Sequence, residues 1–116
     1  VTTVITQPGD LGAETEICQL PADAEGRVAL TAWVDVLRER AYNEILVEAG
    51  PTLAGAMLKE GWVDQLVVYQ APKLLGDVAR PMAVMAVDAL AEAIELNITE
   101  VTRLDTDLRI IATPRV

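Results

Sequence analysis

Short apolar runs alternate with helical stripes along this chain. Ile45-Leu46-Val47 is apolar at every position and ends at Glu48. A run of that kind suits a strand covered on both faces. Gly50-Pro51 follows, then a helix-forming segment from Pro51 to Glu60 with Leu53, Met57 and Leu58 as its expected buried stripe. Gly50 suits a tight turn, Pro51 suits the first helical position, and Gly61 is the expected C-terminal stop. Leu66-Val67-Val68-Tyr69 is a second all-apolar run, stopped by Pro72. Strand, helix and strand in that order predict a βαβ unit, whose right-handed crossover sets the strands parallel or nearly so.

The flanking segments are weaker but readable. Val1 to Thr6 predicts a strand, ended by the turn signal Gln7-Pro8-Gly9-Asp10 and a loop or helical turn over Leu11 to Glu14. Glu16 to Leu20 alternates as a short strand, and Pro21 to Arg27 is polar loop. Leu30, Trp33, Val34, Leu37 and Ala41 follow the helical period, with Thr31 as the expected cap and Arg38-Glu39-Arg40 on the solvated face. Lys73 to Asp77 is loop, and the alanine-rich stretch Ala83 to Ala93 has room for one helical turn. Ile94, Leu96 and Ile98 alternate with polar residues in a strand running to Leu104, with a bulge expected near Glu100. Asp105-Thr106-Asp107 turns the chain, and Leu108 to Thr113 returns as its partner. The class is α/β: a mostly parallel sheet flanked by helices, with a C-terminal antiparallel hairpin.

Composition narrows the function classes. At 116 residues the chain is expected to be one domain, and 52% hydrophobic content with a mean hydropathy of +0.30 supports a core. A net charge of −9 disfavours nucleic acid and anionic membrane surfaces. With no histidine and the single cysteine Cys18, a thiolate or imidazole zinc site and an internal disulfide are excluded. There is no serine either, so Ser/His/Asp and Cys/His nucleophile arrangements are excluded. Cys18 and Trp33 read as core residues. No 18-residue apolar run is present, which sets the expectation of a cytoplasmic protein. The opening Val1-Thr2-Thr3-Val4-Ile5, without methionine, reads as a strand entered from upstream, and so as a piece of a longer protein.

Ligands of open α/β sheets sit outside the carboxyl ends of the strands. Glu48, the Gly50 turn and Lys73 all fall at that edge. A helix start offers free N–H groups and about half a positive charge, which suits phosphate. From spacing alone, an ordinary βα connection without ligand is the simpler reading, because Gly-Pro before a helix is common punctuation. The stretch carries neither the three-glycine dinucleotide fingerprint nor the Gly-Lys-Ser/Thr of a P-loop.

Three motifs separate these readings. Val47-Glu48-Ala49-Gly50-Pro51-Thr52-Leu53-Ala54-Gly55, Gly61-Trp62-Val63-Asp64-Gln65-Leu66 and Ala71-Pro72-Lys73-Leu74-Leu75-Gly76, followed by Ala79-Arg80-Pro81, stand in a recognisable order. They resemble the reductase domain of the bifunctional riboflavin-biosynthesis deaminase/reductase family. The resemblance implies a dihydrofolate-reductase-like fold of which residues 1–116 are the C-terminal portion, with the N-terminal part missing. It implies NADPH as cofactor and reduction of the ribose of 5-amino-6-(5-phosphoribosylamino)uracil to the ribitylamino product. Carried over by motif, Gly50, Pro51, Thr52, Leu53, Ala54, Gly55 and Ala56 line the NADPH pyrophosphate, and Glu48 contacts the substrate. No metal ligand and no catalytic acid or nucleophile is implied. Asp64 reads as fixing a strand start and Lys73 as a surface or subunit-contact charge. The resemblance also implies a homodimer or higher homo-oligomer. Nothing here matches the family's His-x-Glu and Pro-Cys-x-x-Cys zinc deaminase signature, nor the half that carries the adenosine site. Two alternatives stay open: a non-catalytic assembly module, and a stand-alone reductase of another pyrimidine or pterin.

Overall fold

The computed structural model describes residues 2–4, 18–87 and 89–115, in two compact units that divide between Leu46 and Val47. The expected turn at Gln7 to Asp10 and the segment Leu11 to Ile17 lie outside the described residues.

In the N-terminal unit, β1 (Thr2–Val4) pairs antiparallel with β2 (Gln19–Pro21), Thr3 opposite Leu20. The Leu20 side chain is buried. Beyond β2 the chain doubles back through an Ala22–Val28 bridge. The Asp23 carboxylate organises that loop, accepting the backbone N–H groups of Glu25 at 3.0 Å and Arg27 at 2.7 Å. The helix α1 spans Leu30–Glu39, with half-buried Trp33, Val34 and Leu37 along one stripe. Its cap position is Ala29, not the expected Thr31. The Ala29 N–H is held by the Pro21 carbonyl at 2.9 Å, so the chain stays extended to Ala29 and first turns at Leu30. Thr31 therefore sits inside the first turn.

Ile45-Leu46-Val47 does not form the expected strand. It has no ladder partner among the described residues, and Leu46 is 80% exposed. An apolar run becomes a strand only where a neighbour takes its N–H and C=O groups, and side-chain pattern names no neighbour.

In the C-terminal unit, α2 spans Pro51–Lys59 with Gly50 at the cap and proline in the first turn. It ends in a Schellman motif: the Gly61 N–H donates to the Leu58 carbonyl at 3.2 Å and the Trp62 N–H to the Met57 carbonyl at 3.1 Å. That ending needs the left-handed backbone that Gly61 supplies at φ 70°. Of the expected stripe Met57 is buried, Leu58 is half-buried and Leu53 is exposed.

Three strands follow: β3 (Leu66–Gln70), β4 (Leu96–Leu104) and β5 (Asp107–Pro114), in the order β3-β5-β4. Among the described residues, a 3₁₀ turn at Leu90–Glu92 lies near the end of the alanine-rich stretch. Every ladder among the described residues is antiparallel, including the one that takes β3. The parallel pairing expected for β3 is absent among the described residues: its one ladder partner there is β5, which runs antiparallel to it. The C-terminal hairpin is as read, down to the irregularity between Ile98 and Glu100. The Thr99 hydroxyl donates to the Ile111 carbonyl at 3.2 Å across that bulge.

Register and pleat sort the side chains of this sheet. Leu66, Val68, Ile110, Ala112, Ile98 and Val101 share one face, on which Ala112 is buried. Tyr69, Arg109 and Thr102 are cross-strand partners on the other face, with Glu100 beside them. There the Arg109 guanidinium donates to Glu100 at 2.6 Å and the Thr102 hydroxyl at 2.5 Å. The Thr102 hydrogen bond first, then Arg109, hold the Glu100 carboxyl below its ordinary value, and Glu100 in turn raises that of Arg109.

Candidate functional site

The first turn of α2 has the donors a phosphate needs. The Ala54 N–H closes on the Gly50 carbonyl at 3.1 Å, and Pro51 has no N–H. That leaves the amides of Thr52 and Leu53 pointing out of the helix start. No side chain caps them among the described residues, because the cap position is a glycine. Asn, Asp or Ser at that position would normally take one of these donors. The Thr52 side chain is exposed and adds a hydroxyl.

Gly50 itself is unstrained. Its φ of −70° and ψ of 169° are extended backbone open to any residue, and a Cβ there would meet nothing within 4 Å. The turn therefore does not need a glycine at position 50. What the glycine leaves is open space in front of two uncapped amides.

Gly55, one turn further on, is a different case. A Cβ built on it would collide with the carbonyl oxygen of Val84 and lie 2.7 Å from that carbonyl's carbon. The backbone of Val84 crosses the helix here, and its N–H donates to the Pro51 carbonyl at 2.9 Å. A mid-helix glycine costs about 1 kcal/mol relative to alanine. The crossing is the physical reason for it. Ala54 and Ala56 are half-buried in the helix body, with their amides inside the helical ladder.

The seven residues carried over by motif therefore divide. Gly50, Pro51, Thr52 and Leu53 form an open donor end, whereas Ala54, Gly55 and Ala56 form the body that supports it. Glu48 precedes this end and is exposed. Asp64 and Lys73 are exposed in loops on either side of β3. Val84 was not readable as a site neighbour, because a backbone contact leaves no side-chain signature. The signal that points to it is Gly55 in an otherwise strong helical segment.

The other end of α2 opens on a cleft of about 360 Å³, lined among others by Leu58, Val63, Met85, Ile94 and Pro114. Among the described residues, no group of His, Cys, Asp and Glu is placed to hold a metal ion, and no helix is long and apolar enough to cross a membrane.

Comparison with known proteins agrees with the motif order. Over 96 residues, 82% of this chain, it is 40% identical to the riboflavin biosynthesis protein RibD of Escherichia coli, of which it covers 26%. A 5-amino-6-(5-phosphoribosylamino)uracil reductase of Buchnera aphidicola is 26% identical over 94 residues, 80% of this chain and 45% of that protein. Among solved structures, Acinetobacter baumannii RibD superposes with a TM-score of 0.69 at 30% identity, over 82% of this chain and 30% of that one. The chain thus spans between a quarter and a half of the length of these relatives. Residues 1–110 match the family described as the RibD C-terminal domain, and the chain belongs to that family.

Proposed function

We propose that residues 1–116 form the C-terminal portion of a dihydrofolate-reductase-like reductase domain of riboflavin biosynthesis, and that the start of α2 holds the pyrophosphate of NADPH. The substrate in this reading is 5-amino-6-(5-phosphoribosylamino)uracil, whose ribose is reduced to the ribitylamino product. The observation that carries it is the pair of uncapped amides, Thr52 and Leu53, behind an unobstructed glycine.

The residues present fit a phosphate group. The two amides and the Thr52 hydroxyl donate to its oxygens, the helix dipole favours its charge, and Gly50 lets it approach the backbone. Pro51 contributes shape by fixing the entry of the chain into the helix. Glu48 accepts hydrogen bonds from ring N–H or hydroxyl groups of the substrate and so orients it. When bound, the cofactor supplies the hydride, and the protein supplies placement. No described side chain is assigned as acid or nucleophile.

A second reading, an assembly surface, has its own support. Leu74, Leu75 and Val78 in the loop after β3 are almost fully exposed, at 102%, 79% and 95%. Large apolar side chains left exposed so close together in sequence fit a homodimer or higher homo-oligomer. The two readings are compatible, and NADPH titration followed by amide NMR tests the first. The Thr52 and Leu53 resonances are expected to move before any others. Saturable shifts confined to the sheet would contradict the assignment.

A further inference from the structure

The contact between Val84 and α2 falls on one particular peptide group. The carbonyl of Pro51 and the N–H of Thr52 belong to the same planar unit. Besides its helical partner, that carbonyl accepts the Val84 N–H at 2.9 Å. The opposite end of the same unit is an outward-facing, uncapped donor. A hydrogen bond at the carbonyl holds the peptide plane. It also polarises the unit, which strengthens the N–H as a donor by about 10–30%. The approach is possible because position 55 has no Cβ.

We propose that Val84 is a positioning residue: its backbone N–H fixes and polarises the Pro51–Thr52 peptide so that the Thr52 amide is aimed at the cofactor phosphate. Gly55 acts through it, as the gap that lets the backbone of Val84 reach the helix. This rests on the phosphate reading given above, but the two are separable by experiment. Neither residue touches the phosphate in this account. The Val84 side chain, which is 54% exposed, is not the working part.

The test compares the parent chain with Gly55→Ala, which wedges the Val84 backbone away from Pro51, and with Val84→Pro, which removes the donor. Amide exchange protection of β3, β4 and β5 reports that each variant is folded. In both variants the Thr52 amide resonance is expected to shift upfield, since the peptide loses the polarising hydrogen bond at its carbonyl. The NADPH dissociation constant is expected to rise about five- to tenfold in the same variants. A purely structural contact would lower the melting temperature without moving the Thr52 resonance relative to its neighbours. An unchanged Thr52 resonance in a folded variant overturns the proposal. Should the parent chain bind no NADPH, the phosphate reading falls, and the Thr52 resonance alone still decides whether Val84 holds that peptide. Should Gly55→Ala fail to fold, Val84→Pro carries the comparison without adding an atom at position 55.

Discussion

Two regions of one helix carry a glycine for opposite reasons. At the open end of α2, Gly50 has ordinary dihedrals and empty space around it. In the body of the helix, Gly55 lies beneath the backbone of Val84 with no room for a methyl group. The first glycine is dispensable to the fold and matters only if something approaches from outside. The second is required by the fold and touches no ligand. A motif that contains both mixes a recognition position with a packing position, and only geometry separates them.

The sharpest way to break this contrast is Gly55→Ala. Helix propensity favours the alanine by up to about 1 kcal/mol, whereas forcing a methyl into packed backbone costs about 1–3 kcal/mol. The overlap is with a carbonyl rather than a flexible side-chain tip, so a net loss of about 1–2 kcal/mol is expected in denaturant unfolding. A net gain would show that the Val84 crossing is loose. At Gly50 the opposite sign is expected. Gly50→Asp supplies the missing cap and a favourable charge, and should raise stability by about 0.5–1 kcal/mol while occupying one of the two amides and repelling a phosphate. Higher stability together with lost NADPH binding would mark Gly50 as kept for recognition.

The helix ends extend the comparison. Both α1 and α2 finish in the left-handed region, α2 with Gly61 but α1 with Ala41 at φ 53°. Ala41→Gly is expected to stabilise the chain by about 1 kcal/mol, and its melting curve reads this directly. No gain would mean that α1 frays before Ala41.

The smallest effect concerns the polar face of the sheet. Hydrogen bonds from Thr102 and Arg109 hold the Glu100 carboxyl below its usual value near 4.5. A depressed folded value stabilises above that usual value and is lost as pH falls through the lower one. The stability difference between the parent chain and Glu100→Gln should therefore be steady above pH 4.5 and shrink below it. Because the pair is exposed, screening keeps the effect small. A difference independent of pH would remove the ion pair from the account.

How much was legible follows from what side-chain pattern encodes. The β4–β5 hairpin and its bulge near Glu100 were readable because alternation, turn residues and pairing are all local. The start and end of α2 were readable because Gly50-Pro51 and Gly61 are backbone signals with fixed meanings. Pairing direction was not: the apolar run of β3 implied cover on both faces and a parallel neighbour, yet its ladder partner is β5, distant in sequence and antiparallel. The run at 45–47 wanted a strand, and wanting burial does not supply a partner. Leu53 likewise follows the helical stripe but is exposed, because the stripe says which face is apolar and not what covers it. At the site, the donor end was legible in Gly50-Pro51-Thr52. The division of the motif at Gly55 was not, since it depends on a backbone crossing from residue 84.

The central claim is that the start of α2 receives the cofactor phosphate. A calorimetric titration of this chain with NADPH, beside Gly50→Val, tests it most directly. The dihedrals at position 50 suit valine, so the variant should fold with a stability change of no more than about 1 kcal/mol. Saturable binding by the parent chain, weakened at least about tenfold in the folded variant, is the predicted result. Equal affinity in both, or no binding by the folded parent chain, would contradict it.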